Sequence, residues 1–478
     1  MPKKTILVVI DGLAAATFES ALESHAPALR FLAEHGEYGR ATSTFPSLTP
    51  VCLSSLATGA HPDVHHIPHL VWYHRGERRI VEYGSSFAAL RAAGTRRSIL
   101  DAIFNMNEQH LAADAVTIYE ALEDEGFAAA AVNITCYRGR TRHEPTLPGF
   151  VRPAYGPQRF FFFNLFESDV TGAPMAVKGR AAGSVDEYAA AVGRWLVTRD
   201  GFDFFAFYLP DYDFASHVRG PEDALEALAR SDRAVGTLMA AAGGPDEFLE
   251  RYAVVVCADH GQTRVDDACR LQDRYAGVDG VVVTASNRAG MVYRLDDCPL
   301  DPRELAVRLD GEPAAEVALF REGETAVARR DGEELAFAPD GDGGWWTAGD
   351  EAILDHPDGL VRAYAALRNP NAGEVLVSAA PGYEFADLGG RHHAGGGSHG
   401  SLGAGDSLVP MLVVGLEPRA EGSTVQRVDR SVQTDARAKP ARPGSGTASG
   451  AFMPRSIVDV APAVLEHFGL RRDTARAA

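Results

Sequence analysis

Thr5-Ile6-Leu7-Val8-Val9-Ile10-Asp11-Gly12 is the stretch on which the fold turns. An unbroken Val/Ile-rich run reads as a strand covered on both faces, the kind found inside parallel sheets. Its halt on a carboxylate and a glycine predicts a turn at the carboxyl end of that strand. The pattern repeats along the chain. Residues 15–35 carry apolar residues at helical spacing, and 114–127 read as a helix leading into a strand at 128–135. A strand at 202–209 precedes a helix near 221–242. A strand at 252–257 ends on Asp-His-Gly. Residues 374–379 and 408–416 read as two more strands, and 456–468 as a closing amphipathic helix. This βαβ rhythm predicts an α/β fold with a doubly wound, largely parallel central sheet flanked by helices.

Two regions break the rhythm. Residues 300–350 hold short β-like runs with turns at Asp310-Gly311 and Asp340-Gly341, which predicts a small inserted β-rich lobe. The core is then expected at 1–299 and 351–478. Within it, 418–450 is rich in Gly, Ser, Pro, Arg and Thr, and is expected to be a flexible loop.

Composition narrows the function classes. The chain has 478 residues, 46% hydrophobic and 23% charged, as a globular protein with ample core should have. A net charge of −19 excludes broad electrostatic attraction for nucleic acid or anionic membrane, though a small-molecule phosphate can still bind where metals reverse the local charge. No apolar run approaches the roughly 20 residues needed to span a bilayer. The apolar run after Met1-Pro2-Lys3-Lys4 is too brief for a signal peptide and stops on Asp11, so a cytoplasmic location is expected. The five cysteines are scattered, with no CxxC pair, which agrees with a reducing compartment.

Acids and histidines gather just after strands, where open α/β sheets bind ligands. Asp11 ends the first strand. Thr49-Pro50 follows Phe45-Pro46-Ser47-Leu48 and reads as the cap and first residue of a helix whose free amides suit a phosphate. Asp213 and His217 lie four apart, on one face of a helical turn. Asp259-His260-Gly261 ends a strand. His392-His393-Ala394-Gly395-Gly396-Gly397-Ser398-His399 is a glycine-rich loop in which His399 is the foremost candidate ligand. Taken singly, Asp11 reads equally as a turn residue, Thr49 as an ordinary cap and the His-rich stretch as a flexible turn. Together they supply three Asp, three His and one hydroxyl, an inventory that fits two adjacent metals with open positions.

At these residues the sequence resembles the alkaline phosphatase superfamily and, within it, the nucleotide pyrophosphatase/phosphodiesterase branch. The resemblance rests on five ordered motifs and on His61-Pro62-Asp63-Val64-His65-His66-Ile67 after the Thr49 helix. It implies two divalent ions, zinc or alternatively manganese. One would be held by Asp11, Thr49, Asp259 and His260, the other by Asp213, His217 and His399. It implies Thr49 as the nucleophile in hydrolysis of phosphodiester or pyrophosphate bonds of nucleotide-type substrates, through a covalent phosphothreonine. A phosphomonoesterase, a phosphonate hydrolase and a non-catalytic metal-binding protein are the alternatives. The branch's phosphate-gripping Asn falls near Leu70 here, with Asn105 or Asn107 as substitutes. Arg138 and Arg140 would favour monoesters if they pointed into the site. Trp72, Tyr73, Phe87 and the 160–163 Phe run either stack a substrate ring or pack in the core, with core packing the stronger reading for the Phe run.

Overall fold

The computed structural model describes residues 2–147, 149, 151–175, 184–417 and 453–470. The stretch 418–450, expected as a flexible loop, lies outside the described residues.

The run that opens the chain forms β1 (Lys4–Ile10), buried on both faces at the centre of an eight-stranded sheet. The order across the sheet is Glu37–Thr42, Leu408–Val414, Tyr252–Cys257, β1, Phe204–Leu209, Ala129–Val132, Arg159–Phe162 and Phe166–Ser168. The five strands from Tyr252–Cys257 to Arg159–Phe162 are parallel. The flanking pairings are antiparallel. Phe204–Leu209 (β2) and Tyr252–Cys257 (β3) lie on either side of β1, with Ile10 opposite Leu209 and Val9 opposite Cys257. Their carboxyl ends are therefore level, and the residues that follow each strand emerge side by side. Asp11, Asp213 and Asp259-His260 meet for this reason.

A second sheet of seven antiparallel strands spans Val281–Ser286 to Val375–Ala379 and packs around its own core, with Met291, Leu319 and Phe337 on one face and Val292, Phe320 and Val377 on the other. It reaches well beyond the 300–350 stretch singled out in the sequence. Val375–Ala379 is fully buried, as a parallel strand would be, yet it pairs antiparallel with Ala289–Arg294 and Ala315–Glu322. Burial of both faces removes the alternation that would have marked it. Leu408–Val414 does join the central sheet, but antiparallel. Residues 15–35 form two helices, Ala15–Leu22 and Pro27–His35, with Pro27 opening the second. A three-stranded sheet of Gly382–Phe385, Thr263–Cys269 and Gly397–Ser398 delivers His399 to the same end of the molecule. Among the described residues, no helix is long and apolar enough to cross a membrane.

Candidate active site

Thr49 opens helix α1 (Thr49–Thr58) as its first residue, one position later than the sequence placed it, with buried Leu48 at the cap and Pro50 second. Leu48 offers no side-chain bond to cap the helix, and the Thr49 hydroxyl turns elsewhere. Its Oγ1 lies 3.0 Å from His260 Nε2 instead. Asp213 and His217 share helix α2 (Asp211–Arg219), which starts directly after β2. Their facing atoms, Oδ2 and Nε2, are 3.4 Å apart.

All seven residues picked out in the sequence converge here. Ligand atoms of Asp11, Asp259 and His260 lie within 4.8 Å of one another, as do those of Asp213, His217 and His399. The two sets touch: the His260 and His399 rings stack with centroids 3.7 Å apart. His260 Nε2 is 3.4 Å from both Asp11 Oδ1 and Asp259 Oδ2.

Three main-chain carbonyls orient the histidines. His260 Nδ1 faces Gly261 O at 3.1 Å, His217 Nδ1 faces Gly397 O at 2.9 Å, and His399 Nδ1 faces Ser47 O at 2.8 Å. A carbonyl only accepts, so each Nδ1 carries a proton and each ring turns its Nε2 into the site. The carboxylates are held likewise. Tyr208 donates its hydroxyl to Asp11 Oδ2, and Gln262 donates its amide to Asp213 Oδ1. Asp259 Oδ1 accepts from the amides of Gly12 and His260 at 3.3 and 3.0 Å. Gly12, at φ +71°, is needed for this approach, since a Cβ there would lie 2.7 Å from Asp213 Oδ1.

Burial pushes the Asp11 carboxyl well above its ordinary range, and the Asp213 and Asp259 carboxylates push it further. Burial likewise raises Asp259. Burial also acts to raise Asp213, but the adjacent His217 outweighs it and holds Asp213 low, while the same pairing raises His217. Burial and the neighbouring His260 hold His399 well below the usual imidazole range. Asp11 Oδ1 and Asp259 Oδ2 are buried with no hydrogen-bond partner. Orphaned carboxylate oxygens, with imidazole Nε2 atoms turned toward the same points, are donors of the kind that could hold divalent cations. Two such ions would offset the charge of three buried carboxylates.

The site opens into a cavity of about 670 Å³ that reaches past Leu70, Met106 and Phe163. A family model described as Type I phosphodiesterase / nucleotide pyrophosphatase matches residues 5–402, a span that includes all seven residues. The chain belongs to that family. It is therefore a phosphoric ester hydrolase by class. Solved structures share the fold. Phosphonoacetate hydrolase from Sinorhizobium meliloti 1021, in complex with phosphonoformate, is 20% identical with a TM-score of 0.56, covering 86% of this chain and 90% of that one. Murine ectonucleotide pyrophosphatase / phosphodiesterase 5 is 14% identical with a TM-score of 0.54, covering 86% and 88%. No curated protein matches the chain significantly in sequence.

Other residues fall differently from their expected places in this phosphodiesterase-family chain. Arg138 turns away from the cavity to Glu120 and to the carbonyls of Leu111, Ala112 and Ala115, and Arg140 pairs with Glu120 and Asp124. Asn105 bonds Asp101, and Asn107 holds the loop at Thr135–Arg138, so neither lines the cavity. Trp72 and Tyr73 pack in the second core, and Phe87 is exposed. Phe160, Phe161 and Phe162 are core residues, and Phe162 also lines the cavity together with Phe163. His393 also lines it, stacked at 4.1 Å on His217 and bonded to buried Glu384, while His392 is exposed.

Sequence reasoning missed Asn287, Tyr208 and Gln262. Asn287 sits in the turn between Val281–Ser286 and Ala289–Arg294, and its Nδ2 donates to His399 Nε2 at 2.8 Å. The adjacent Arg288 is buried in a two-pronged pair with Asp406 at 2.8 and 2.9 Å. Its main-chain amide donates to His399 O at 2.7 Å. A polar Ser-Asn-Arg interrupting two apolar runs was the available signal.

Proposed function

We propose that the protein hydrolyses phosphodiester or pyrophosphate bonds of small molecules, with Thr49 as nucleophile and two divalent ions, zinc or manganese, as cofactors. The observation that carries this reading is the Thr49 hydroxyl, 3.0 Å from His260 Nε2 at the junction of two ligand sets. Asp11, Thr49, Asp259 and His260 would hold one ion, and Asp213, His217 and His399 the other. When bound, the ions would lower the pKa of the Thr49 hydroxyl and offset negative charge on the phosphoryl oxygens.

The residues supply the rest. Thr49 Oγ1 bonds to phosphorus as the bond to the leaving oxygen breaks, and the electron pair departs with that oxygen. Water then attacks the phosphothreonine, releasing the product phosphate and restoring the hydroxyl. The free amides of Thr49 and Val51 in the first turn of α1 favour an anionic group there. Asn287, within reach of His399, supplies an amide in place of the family's Asn, whose position Leu70 occupies. Among the described residues lining the cavity there is no Lys or Arg to grip the extra charge of a monoester or the carboxylate of a phosphonoacetate. That favours diesters over both. Five free cysteines support a cytoplasmic location.

The test is turnover of bis-p-nitrophenyl phosphate and p-nitrophenyl phosphate by metal-loaded protein, with Thr49→Ala as control. Diester preference that vanishes in Thr49→Ala is expected. Undiminished turnover in that variant would remove Thr49 as nucleophile, and monoester preference would move the activity to a phosphatase.

A further inference from the structure

Beyond the ligand sets the cavity changes character. Leu70, Ile103, Met106, Phe162, Phe163 and Leu165 form its wall, drawn from three separate segments of the chain. Ile103 and Met106 come from a ten-residue π-helix, Asp101–His110, a rare form that recurs at functional sites. The polar groups on this wall are largely spent. The Tyr83 hydroxyl is hydrogen-bonded to His110 Nδ1 at 2.7 Å, and the Ser85 hydroxyl donates to the buried Glu82 carboxylate at 2.8 Å. Thr135 Oγ1 is the one wall hydroxyl left without a partner among the described residues. At the mouth, Phe214 and Val218 lie on one face of α2, beside Asp213 and His217, and are 55% and 77% exposed. Large apolar side chains left open beside an apolar cavity mark a surface that gains by being covered.

A nucleobase carries several ring and exocyclic donors and acceptors, and those turned toward this wall would meet no partner, at a cost of roughly 1–3 kcal/mol each. A hydrocarbon leaves none. We propose that the cavity selects phosphodiesters whose non-leaving alcohol is an apolar hydrocarbon rather than a nucleoside; this rests on the hydrolase reading above and names its substrate class.

The experiment is a series of p-nitrophenyl phosphodiesters of methanol, butanol, hexanol and thymidine (5′-linked), hydrolysed by metal-loaded protein. kcat/KM is expected to rise up to about fourfold per buried methylene, with the hexyl ester ahead of the thymidine ester. Phe214→Ser, or Phe163→Asn at a residue whose φ of +42° Asn tolerates, should flatten that slope. A flat series, or a thymidine ester ahead of the hexyl ester, would overturn the assignment. Calorimetric titration of metal-loaded Thr49→Ala with hexyl and methyl methylphosphonate separates the two readings. Tighter binding of the hexyl compound supports the apolar site even where no ester turns over. Equal binding sinks it even if diesters are hydrolysed.

Discussion

Gly12→Ala is the substitution whose outcome the structure constrains most closely. Two penalties are separable. At φ +71° an alanine occupies the left-handed region, at a cost of about 1–2 kcal/mol. Its Cβ would also lie 2.7 Å from Asp213 Oδ1 and 3.0 Å from Gln262 Nε2, where ordinary contact begins at 3.4 Å. Relief requires the Asp213 carboxylate to retreat by about 0.7 Å, the difference between 3.4 and 2.7 Å. Because Asp213 is held by Gln262, whose own carbonyl accepts from Ser216 at 2.6 Å, the shift propagates through α2. A displaced ligand support of this kind costs about 10–100-fold in metal affinity. The assay has two arms: urea unfolding of metal-free protein, and zinc competition against a chelator. We expect a loss of about 1–2 kcal/mol in the first and weakened zinc binding in the second. A variant that pays the backbone cost yet binds zinc and turns over diester as the parent does would refute the assignment of Asp213 to a metal.

Zinc binding at mildly acid pH should release protons, because burial first, and neighbouring carboxylates second, raise the Asp11 carboxyl in the metal-free protein, and burial likewise raises Asp259; calorimetry in buffers of different ionisation enthalpy reads this, and a buffer-independent enthalpy would count against it. Asp186, pushed up to about 7 by burial and by Asp211, keeps its proton folded after the unfolded chain has lost it, so stability declines as pH rises from the ordinary carboxyl value of 3.8 to about 7. Asp186→Asn should therefore raise the urea midpoint more at about pH 8 than at about pH 5, and an equal gain at both would contradict the shift. Arg288→Met strands Asp406 with only Ser401 and Thr263 as donors and should cost about 3–5 kcal/mol in urea unfolding, part of it recovered by adding Asp406→Asn. Asn287→Ala should lower kcat on bis-p-nitrophenyl phosphate with zinc affinity changed little; an unaltered kcat would exclude a contact between Asn287 and the phosphoryl group.

The central sheet was legible because strands buried on both faces are written as unbroken apolar runs, and β1, β2 and β3 all are. The cluster was legible because Asp11, Asp259 and His260 stand at strand ends, where packing alone has no use for buried carboxylates and imidazoles. What failed to show is of two kinds. Val375–Ala379 has the composition of a parallel strand, and only its partners reveal otherwise. Asn287, Tyr208 and Gln262 acquire meaning only when the hairpin turn, β2 and the residue after Gly261 close on one another, and no local spacing encodes that closure.

The carbonyl anchors of His217, His260 and His399 have a consequence for inheritance. Where a histidine is oriented by another side chain, one codon change can erase the orientation while leaving the ligand in place. Here the anchors are the peptide oxygens of Gly397, Gly261 and Ser47, which every residue possesses. Mutation cannot delete them without moving the backbone itself. The tautomers of the three imidazoles are thus as durable as the fold, while the apolar wall opposite, built wholly of replaceable side chains, is free to drift toward new substrates.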